Sequence, residues 1–457
     1  MDTLDISVPV VVIGAGACGL TAAIAAARAG REVLVLEKDP TPAGSTAMSL
    51  GMICAAGSAL QEKAGVADSA EALVEDILAA TQGRTDPALA QFLAEASGPT
   101  IDWLTQEIGL DLHLETNWPG YGHRALRCHG TPNNSGEELM AMLLDAAREA
   151  GADIVTSAGV TDLVSDESGR VVGVRFETPE GATSVGCEAV ILASGGYGAN
   201  KAMVAEHIPD MAEAEYHGCE NHQGEAVRWG QGLGGATGDM GAFQGIGTLT
   251  SYGFGVPHYL MMEGGICVNE RGKRFMDELD NISSQCKVIA GQPGHAAYVI
   301  YDQAIHERTK AIFGEYRDNA ALIEGGARGE TLAEACEKAR IDSEAVARTL
   351  AGLPRGGRCE FGREFPADHG LEGPFFALKV RGALYHTQGG LCIDRQARVV
   401  REDGSPLPNL FAGGGAVRSV SGPAEWGYLP AIGLATAVVF GRVAGEAAAQ
   451  LATRVSA

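Results

Sequence analysis

The sequence predicts an α/β protein, and three observations carry that expectation. Residues 8–37 read VPVVVIGAGACGLTAAIAAARAGREVLVLE: a β-branched run, a glycine turn, an alanine-rich helix and a second apolar strand. Such alternation within one short segment is the mark of a βαβ unit with a parallel sheet. A further apolar strand, AVILA, runs directly into Ser194-Gly195-Gly196. Glycine supplies 63 of the 457 residues, against roughly 7% in average chains. Glycine clustered in loops suits a backbone that must come close to a large ligand.

Taking the elements in order, Val10–Ile13 forms a buried strand and Gly14-Ala15-Gly16-Ala17-Cys18-Gly19 opens a helix that Gly30 ends. Val33–Leu36 forms the next strand, and Glu37 closes it. This is the dinucleotide fingerprint in its strand–turn–helix context. Gly14 permits the tight turn, Gly16 lets the backbone approach a pyrophosphate, and Gly19 lets helix and strand pack. The anion would sit on the helix N-terminus, among N–H groups without intrahelical partners. Glu37 can accept hydrogen bonds from a ribose diol. Lys38–Ser58 (KDPTPAGSTAMSLGMICAAGS) then follows, with Gly44, Ser45, Thr46, Ser49 and Gly51. An NAD enzyme usually proceeds to another βαβ unit; a run of small and hydroxyl residues suits an extended cofactor such as FAD. Further along, 320–352 reads as two short amphipathic helices, with Thr331 and Glu334 as a capping box.

Composition narrows the function. A net charge of -24 argues against nucleic acid and anionic membrane surfaces as partners. Ten cysteines are scattered without a CxxC pair, which offers no zinc, iron–sulfur or c-type haem spacing and fits free thiols in a reducing compartment. The N-terminus carries acids where a signal peptide needs bases, and no apolar run approaches the ~18 residues of a membrane helix. A cytoplasmic protein without membrane insertion is expected, and no metal.

Several blocks together resemble a known family. VIGAGACGLTAAIAAARAG, LEKDPTPAGSTAMSLG, ILASGGYGAN, GGICVNERGKRFMDE, HTQGGLCID and LFAGGGA with GLATAVVFGRVAG resemble the flavoproteins grouped with fumarate reductase, succinate dehydrogenase and 3-ketosteroid dehydrogenases. The resemblance implies a Rossmann-like discontinuous FAD-binding domain, 1–202 and 375–457, with an inserted α+β capping (substrate) domain at 203–374. Gly264–Glu278 resembles a family hairpin facing the substrate. FAD contacts are implied at Ala17, Cys18, Lys38, Val160, Ala193, Ser194, Gly195, Gly414, Gly433 and Leu434, beside the fingerprint residues. Gly413–Gly415 would approach the ribityl chain, where Gly415 replaces a common glutamate. Gly433 and Leu434 would begin a helix facing the ring's pyrimidine end. Ser45 stands where the succinate dehydrogenase branch has its linking histidine, so the FAD is expected to be non-covalent.

The same resemblance implies hydride transfer between a substrate carbon and flavin N5, with a proton moving at the neighbouring carbon. Residues that handle fumarate in the family are largely replaced. No arginine follows Gly272-Lys273-Arg274-Phe275 where the proton donor belongs, a histidine becomes Ile246, and an arginine becomes Tyr428. His386 in HTQGG is retained, on the active-site face or against the flavin pyrimidine edge. A tyrosine at 428 resembles the ketosteroid branch, where it binds a ketone oxygen; Tyr252 and Tyr259 are candidates for the proton acceptor. Tyr121, His123, Arg124 and His129 form a polar entrance or a solvated loop. Arg418 either holds a substrate carboxylate or pairs with an acid of the cap. His258 reads as a surface histidine. Trp426 beside Glu425 reads as packing.

Three functions follow as expectations. The first is an FAD-dependent dehydrogenase introducing a C=C bond next to a ketone or carboxylate of a small or cyclic substrate, with an unnamed electron acceptor. The second is an enoate reductase with an external donor. The third is an FAD-binding electron-transfer subunit without its own substrate.

Overall fold

A computed structural model describes residues 6–455. Two compact units emerge. The first runs to Pro209 and adds Gly218–Phe243 and the chain from His386; the second comprises Asp210–His217 and Gln244–Tyr385. The expected boundaries were 202 and 375; the observed ones lie at 209/210 and 385/386, with 218–243 returning to the first unit.

The first unit is built on a parallel sheet. Strand β1 (Ser7–Ile13) pairs in parallel with β2 (Val33–Leu36) on one side and with Gly181–Leu192 on the other. Pro406–Ala412 extends the sheet in parallel beyond Gly181–Leu192, and Asp153–Val155 beyond β2. Val10, Val11 and Val12 are fully buried, as a strand covered on both faces requires. Each such side chain contributes about 1.5–3 kcal/mol relative to exposure. Helix α1 (Ala17–Arg28) follows the glycine turn.

The C-terminal helix, Ile432–Val455, lies against α1. A Cβ on Gly441 would come within 2.4 Å of the Cys18 carbonyl oxygen, and one on Gly445 within 2.2 Å of that of Ala22. Glycines four apart thus let two helix backbones touch and fix the long helix beside the nucleotide turn. By length and composition it is the one helix among the described residues that could cross a membrane. Most of that stretch is buried within the protein, as in a core helix.

The second unit holds a six-stranded sheet in which Phe375–Thr387 pairs antiparallel with Ala297–Asp302, and the latter with Ile266–Val268. Its core gathers Ile266, Val268, Ile300, Val346 and Ala377. Three helices, Ala320–Ala327, Leu332–Ala339 and Ser343–Ala351, occupy the segment where two were expected. The extra one tolerates Gly326 because the Tyr252 hydroxyl fills the space of its missing side chain. The capping box is half formed: the Thr331 hydroxyl accepts from Glu334 N–H at 3.3 Å, whereas the Glu334 carboxylate accepts from Glu330 N–H instead. Gly264–Glu278 is not a hairpin of two paired strands. After Ile266–Val268 the chain turns, closed by Asn269 N–H to Lys273 C=O at 2.9 Å, and the return is held by side chains. Buried Glu278 accepts from Cys267 N–H, Arg274 and Arg363.

Candidate active site

The glycine turn separates structural from ligand-facing glycines. Gly14 has φ +102°, and a Cβ there would meet the Ala193 carbonyl oxygen at 2.6 Å. A Cβ on Gly19 would lie 1.8 Å from Gly14 O. Both are demanded by the fold. Gly16 differs. Its φ is -77°, which any residue adopts, and the nearest atom to an added Cβ is Thr46 Oγ1 at an ordinary 3.6 Å. Nothing in the chain itself requires glycine here, so the space in front of Gly16 is kept for something else.

Around it the expected cofactor residues assemble. Ala17 N–H donates to Thr46 Oγ1 at 3.0 Å. Ser49 Oγ donates to Thr46 O and accepts from Gly51 N–H. The Glu37 carboxylate accepts from Ala15 N–H at 2.7 Å and Asp39 N–H at 2.9 Å. Each oxygen retains acceptor capacity for a hydroxyl. Burial pushes the Glu37 carboxyl above its ordinary value. Lys38 and Val160 line a cleft of about 410 Å³ with Ser157, Gly159 and Thr161, and Lys38 also pairs with Glu225 at 3.4 Å. Ser194 Oγ is buried without a hydrogen-bond partner, a cost that a bound polar group would offset. The open space at Gly16, the orphaned hydroxyl and the acid after β2 fit a dinucleotide.

Gly413–Gly415 serve packing. Their missing side chains face Cys18 Sγ at 2.6 Å, Cys18 Cβ at 3.1 Å and Gly196 N at 2.9 Å respectively. Glutamate at 415 would collide with Gly196, which explains the departure there. Sequence reading missed His222, whose Nδ1 lies 3.5 Å from Ser45 Oγ and whose ring fills the space a Cβ on Gly195 would need.

The chemistry-bearing cluster lies at the start of the C-terminal helix. His386 and Tyr428 meet edge-to-face with ring centroids 6.0 Å apart. A Cβ on Gly433 would lie 3.8 Å from His386 Nε2 and 4.0 Å from the Tyr428 hydroxyl, so both polar tips surround one point at the helix N-terminus. Burial pushes the His386 imidazole down to about 4, leaving it neutral at neutral pH. Ala431, with φ +64°, holds a strained turn just before the helix, of a kind that costs about 1–3 kcal/mol and clusters at working sites.

Several expected substrate ligands are committed elsewhere. Arg124 gives Nε to Asp76 at 2.6 Å and Nη1 to Glu75 at 2.5 Å. Arg418 gives Nε to Asp239 at 2.7 Å and Nη1 to Asp86 at 3.2 Å; Asp239 lies in the segment 203–374 expected as the cap, and within the first compact unit. His129 is fully buried; its Nε2 meets Ser58 Oγ at 2.7 Å and its Nδ1 the Arg127 carbonyl at 3.0 Å. It is a core residue, not a substrate ligand. Tyr121 donates to the Tyr428 carbonyl at 3.0 Å, and His123 Nε2 meets that of Pro430 at 3.0 Å. The entrance loop thus supports the Tyr428 turn. In the second unit Tyr259 is buried against Phe313, while Tyr252 is partly exposed and stacked on Phe254. His258 is buried rather than at the surface, and burial pushes it down to about 4.

The family described as FAD binding domain matches residues 9–427. The chain is 30% identical to the urocanate reductase of Eggerthella lenta over 99% of this chain and 76% of that one. It is 29% identical to a fumarate reductase (cytochrome) of Shewanella frigidimarina, covering 98% and 77%. With the 4-oxocyclohexanecarboxylate 2-dehydrogenase of Sinomonas cyclohexanicum it shares 27% identity over 90% and 88%. Among solved structures it resembles the open conformation of a flavocytochrome c3 fumarate reductase, with TM-score 0.84, 29% identity and coverage of 98% and 79%. It also resembles the 3-ketosteroid-delta4-(5alpha)-dehydrogenase from Rhodococcus jostii RHA1, solved with 4-androstene-3,17-dione, with TM-score 0.76, 26% identity and 98% coverage of both chains.

Proposed function

The chain belongs to the FAD-binding family, and from that premise we propose that it oxidises a CH–CH bond beside a carbonyl, most readily a ketone of a small or cyclic substrate. That it is an FAD-dependent oxidoreductase of CH–CH bonds rests on the family and its relatives. FAD, when bound, accepts the hydride and passes the electrons on. Gly16, Thr46, Glu37 and Ser194 are the residues that would hold its polar groups, with Gly433 and Leu434 presenting helix N-terminal N–H groups.

The convergence of the Tyr428 hydroxyl and His386 Nε2 on one point beside Gly433 carries the reading. Two neutral polar groups there can polarise a carbonyl oxygen and stabilise negative charge that develops on it. A dicarboxylate would want cations instead, and Arg124 and Arg418 are neutralised by their own acids.

A second reading, an enoate reductase, is favoured by the 29–30% identity to proteins named fumarate and urocanate reductase. Anaerobic spectra separate the two. The oxidised holoprotein is mixed with 4-oxocyclohexanecarboxylate, and the dithionite-reduced one with fumarate, urocanate or 4-androstene-3,17-dione. Bleaching by the saturated ketone supports the dehydrogenase reading. Reoxidation by fumarate or urocanate, with no bleaching by the ketone, would replace it with the second.

A further inference from the structure

Gln388, two residues beyond His386, is buried at 4% exposure and fixed on every side. Its side-chain Nε2 lies 2.9 Å from His386 Nδ1. Its side-chain oxygen accepts from Ser421 Oγ at 3.1 Å, and the Ser421 hydroxyl lies 3.4 Å from that of Ser419. The Gln388 backbone is pinned as well: its N–H donates to Ala242 O and its carbonyl accepts from Ser419 N–H, both at 2.8 Å.

We propose that Gln388 is a positioning residue that sets the proton of His386 on Nε2, making this ring a hydrogen-bond donor to a substrate carbonyl and not a base. The consequence for turnover rests on the function proposed above; the tautomer itself does not. An amide N–H₂ can only donate, so Nδ1, which meets it, must accept. A neutral imidazole carries one proton, which then resides on Nε2. The competing contact, Nδ1 to Thr387 O, is longer at 3.4 Å and is the weaker of the two. Nε2 lies on the side of Gly433 and the Tyr428 hydroxyl. Two donors on one oxygen act together on developing negative charge, whereas an unprotonated Nε2 would repel it. The partner that fixes one ring nitrogen decides the chemistry of the other.

The first test needs no substrate. In ¹⁵N-labelled FAD-loaded protein, with His386 assigned by its loss in His386→Asn, Nδ1 should appear as an unprotonated, pyridine-type nitrogen and Nε2 as a protonated one. Gln388→Leu should mix the two tautomers, and Gln388→Glu should move the proton to Nδ1. A protonated Nδ1 in the wild type, or an unchanged pattern in Gln388→Leu, would overturn the proposal.

The second test is a double-mutant cycle on anaerobic bleaching by 4-oxocyclohexanecarboxylate. Gln388→Leu should slow bleaching by roughly 10-fold or more at saturating ketone, with FAD content kept. Added to His386→Phe it should cost nothing further, because it acts through that ring. Additive losses would make Gln388 a packing residue and sink the idea. If His386→Phe alone bleaches at the wild-type rate, the functional reading of His386 fails, while the nitrogen spectra still decide the role of Gln388.

Discussion

The Tyr121 hydroxyl donates a hydrogen bond to the backbone carbonyl of Tyr428, 3.0 Å away and 307 residues distant in sequence. With His123 on the Pro430 carbonyl, it braces a turn that contains the strained Ala431. Tyr121→Phe removes the hydroxyl that makes this bond. It should cost about 0.5–1.5 kcal/mol of stability, and slow turnover through a loosened Tyr428 while FAD content stays normal. Denaturant melts and single-turnover bleaching check both; an unchanged rate would make the bond purely structural.

Gly16→Val should give a folded protein without FAD. The reason is the contrast within the turn: Gly16 has an ordinary φ and room for a Cβ, whereas Gly19 has neither room nor slack. Gly19→Val should fail to fold. The ratio of flavin to protein absorbance, with circular dichroism for the fold, reads the difference. Wild-type FAD content in Gly16→Val would remove the pyrophosphate from this place.

Arg127 is fully buried and bound to Asp68 by two hydrogen bonds at 2.7 Å, with Asp76 at 2.5 Å. Arg127→Leu strands the Asp68 carboxylate and should cost about 3–5 kcal/mol. Adding Asp68→Asn should recover part of the loss. A loss below about 1 kcal/mol in urea unfolding would mean water reaches the site.

Much of the nucleotide half was legible because its logic is local. Turn, helix, strand and Glu37 lie within one short stretch, although Gly14 also owes its place to the distant Ala193 carbonyl. Substrate ligands were harder, since an arginine announces a charge but not its partner. Arg124 finds Asp76, Arg418 finds Asp239 and His129 finds Ser58, contacts made only by tertiary folding. Gln388 lies only two residues beyond His386, yet its side-chain contact with that ring becomes visible only in the folded chain. The close packing of Gly413 and Gly414 on Cys18 and of Gly415 on Gly196 is likewise tertiary, joining segments far apart in sequence.

Acid should destabilise the protein before it reaches the carboxylate range. Burial holds His123, His129, His222, His258 and His386 down to about 4, against about 6.5 unfolded. Above pH 6.5 both states are neutral and nothing is lost. As pH falls from about 6.5 toward 4 the unfolded chain gains protons that the folded one refuses, so stability declines. Urea unfolding at pH 7 and pH 5 measures this. His129→Asn should flatten part of the slope, and equal stability at the two pH values would contradict it.

Fumarate should be reduced poorly. The position after Phe275 lacks an arginine acid, and Arg124 and Arg418 are held by acids of their own unit. Loss of a positioned proton donor costs about 10² to 10⁴ in rate. Reoxidation of dithionite-reduced protein by fumarate measures it. Rapid reoxidation would mean that one of these arginines leaves its partner on binding.

Tyr428 is expected to carry more of the rate than any other side chain of the cluster. Its ring is buried at 8% exposure, and its hydroxyl shares the point beside Gly433 with His386. Phenylalanine keeps the ring's packing and removes only the donor, so fold and FAD content should survive. The hydrogen bond strengthens as charge develops on the substrate oxygen, so its loss should lower kcat more than it raises KM. By analogy with removal of one oxyanion donor, Tyr428→Phe should slow bleaching by roughly 10² to 10³. The measurement is single-turnover bleaching with whichever ketone the wild type oxidises. Bleaching as fast as the wild type would make Tyr428 a packing residue and leave His386 as the polarising group.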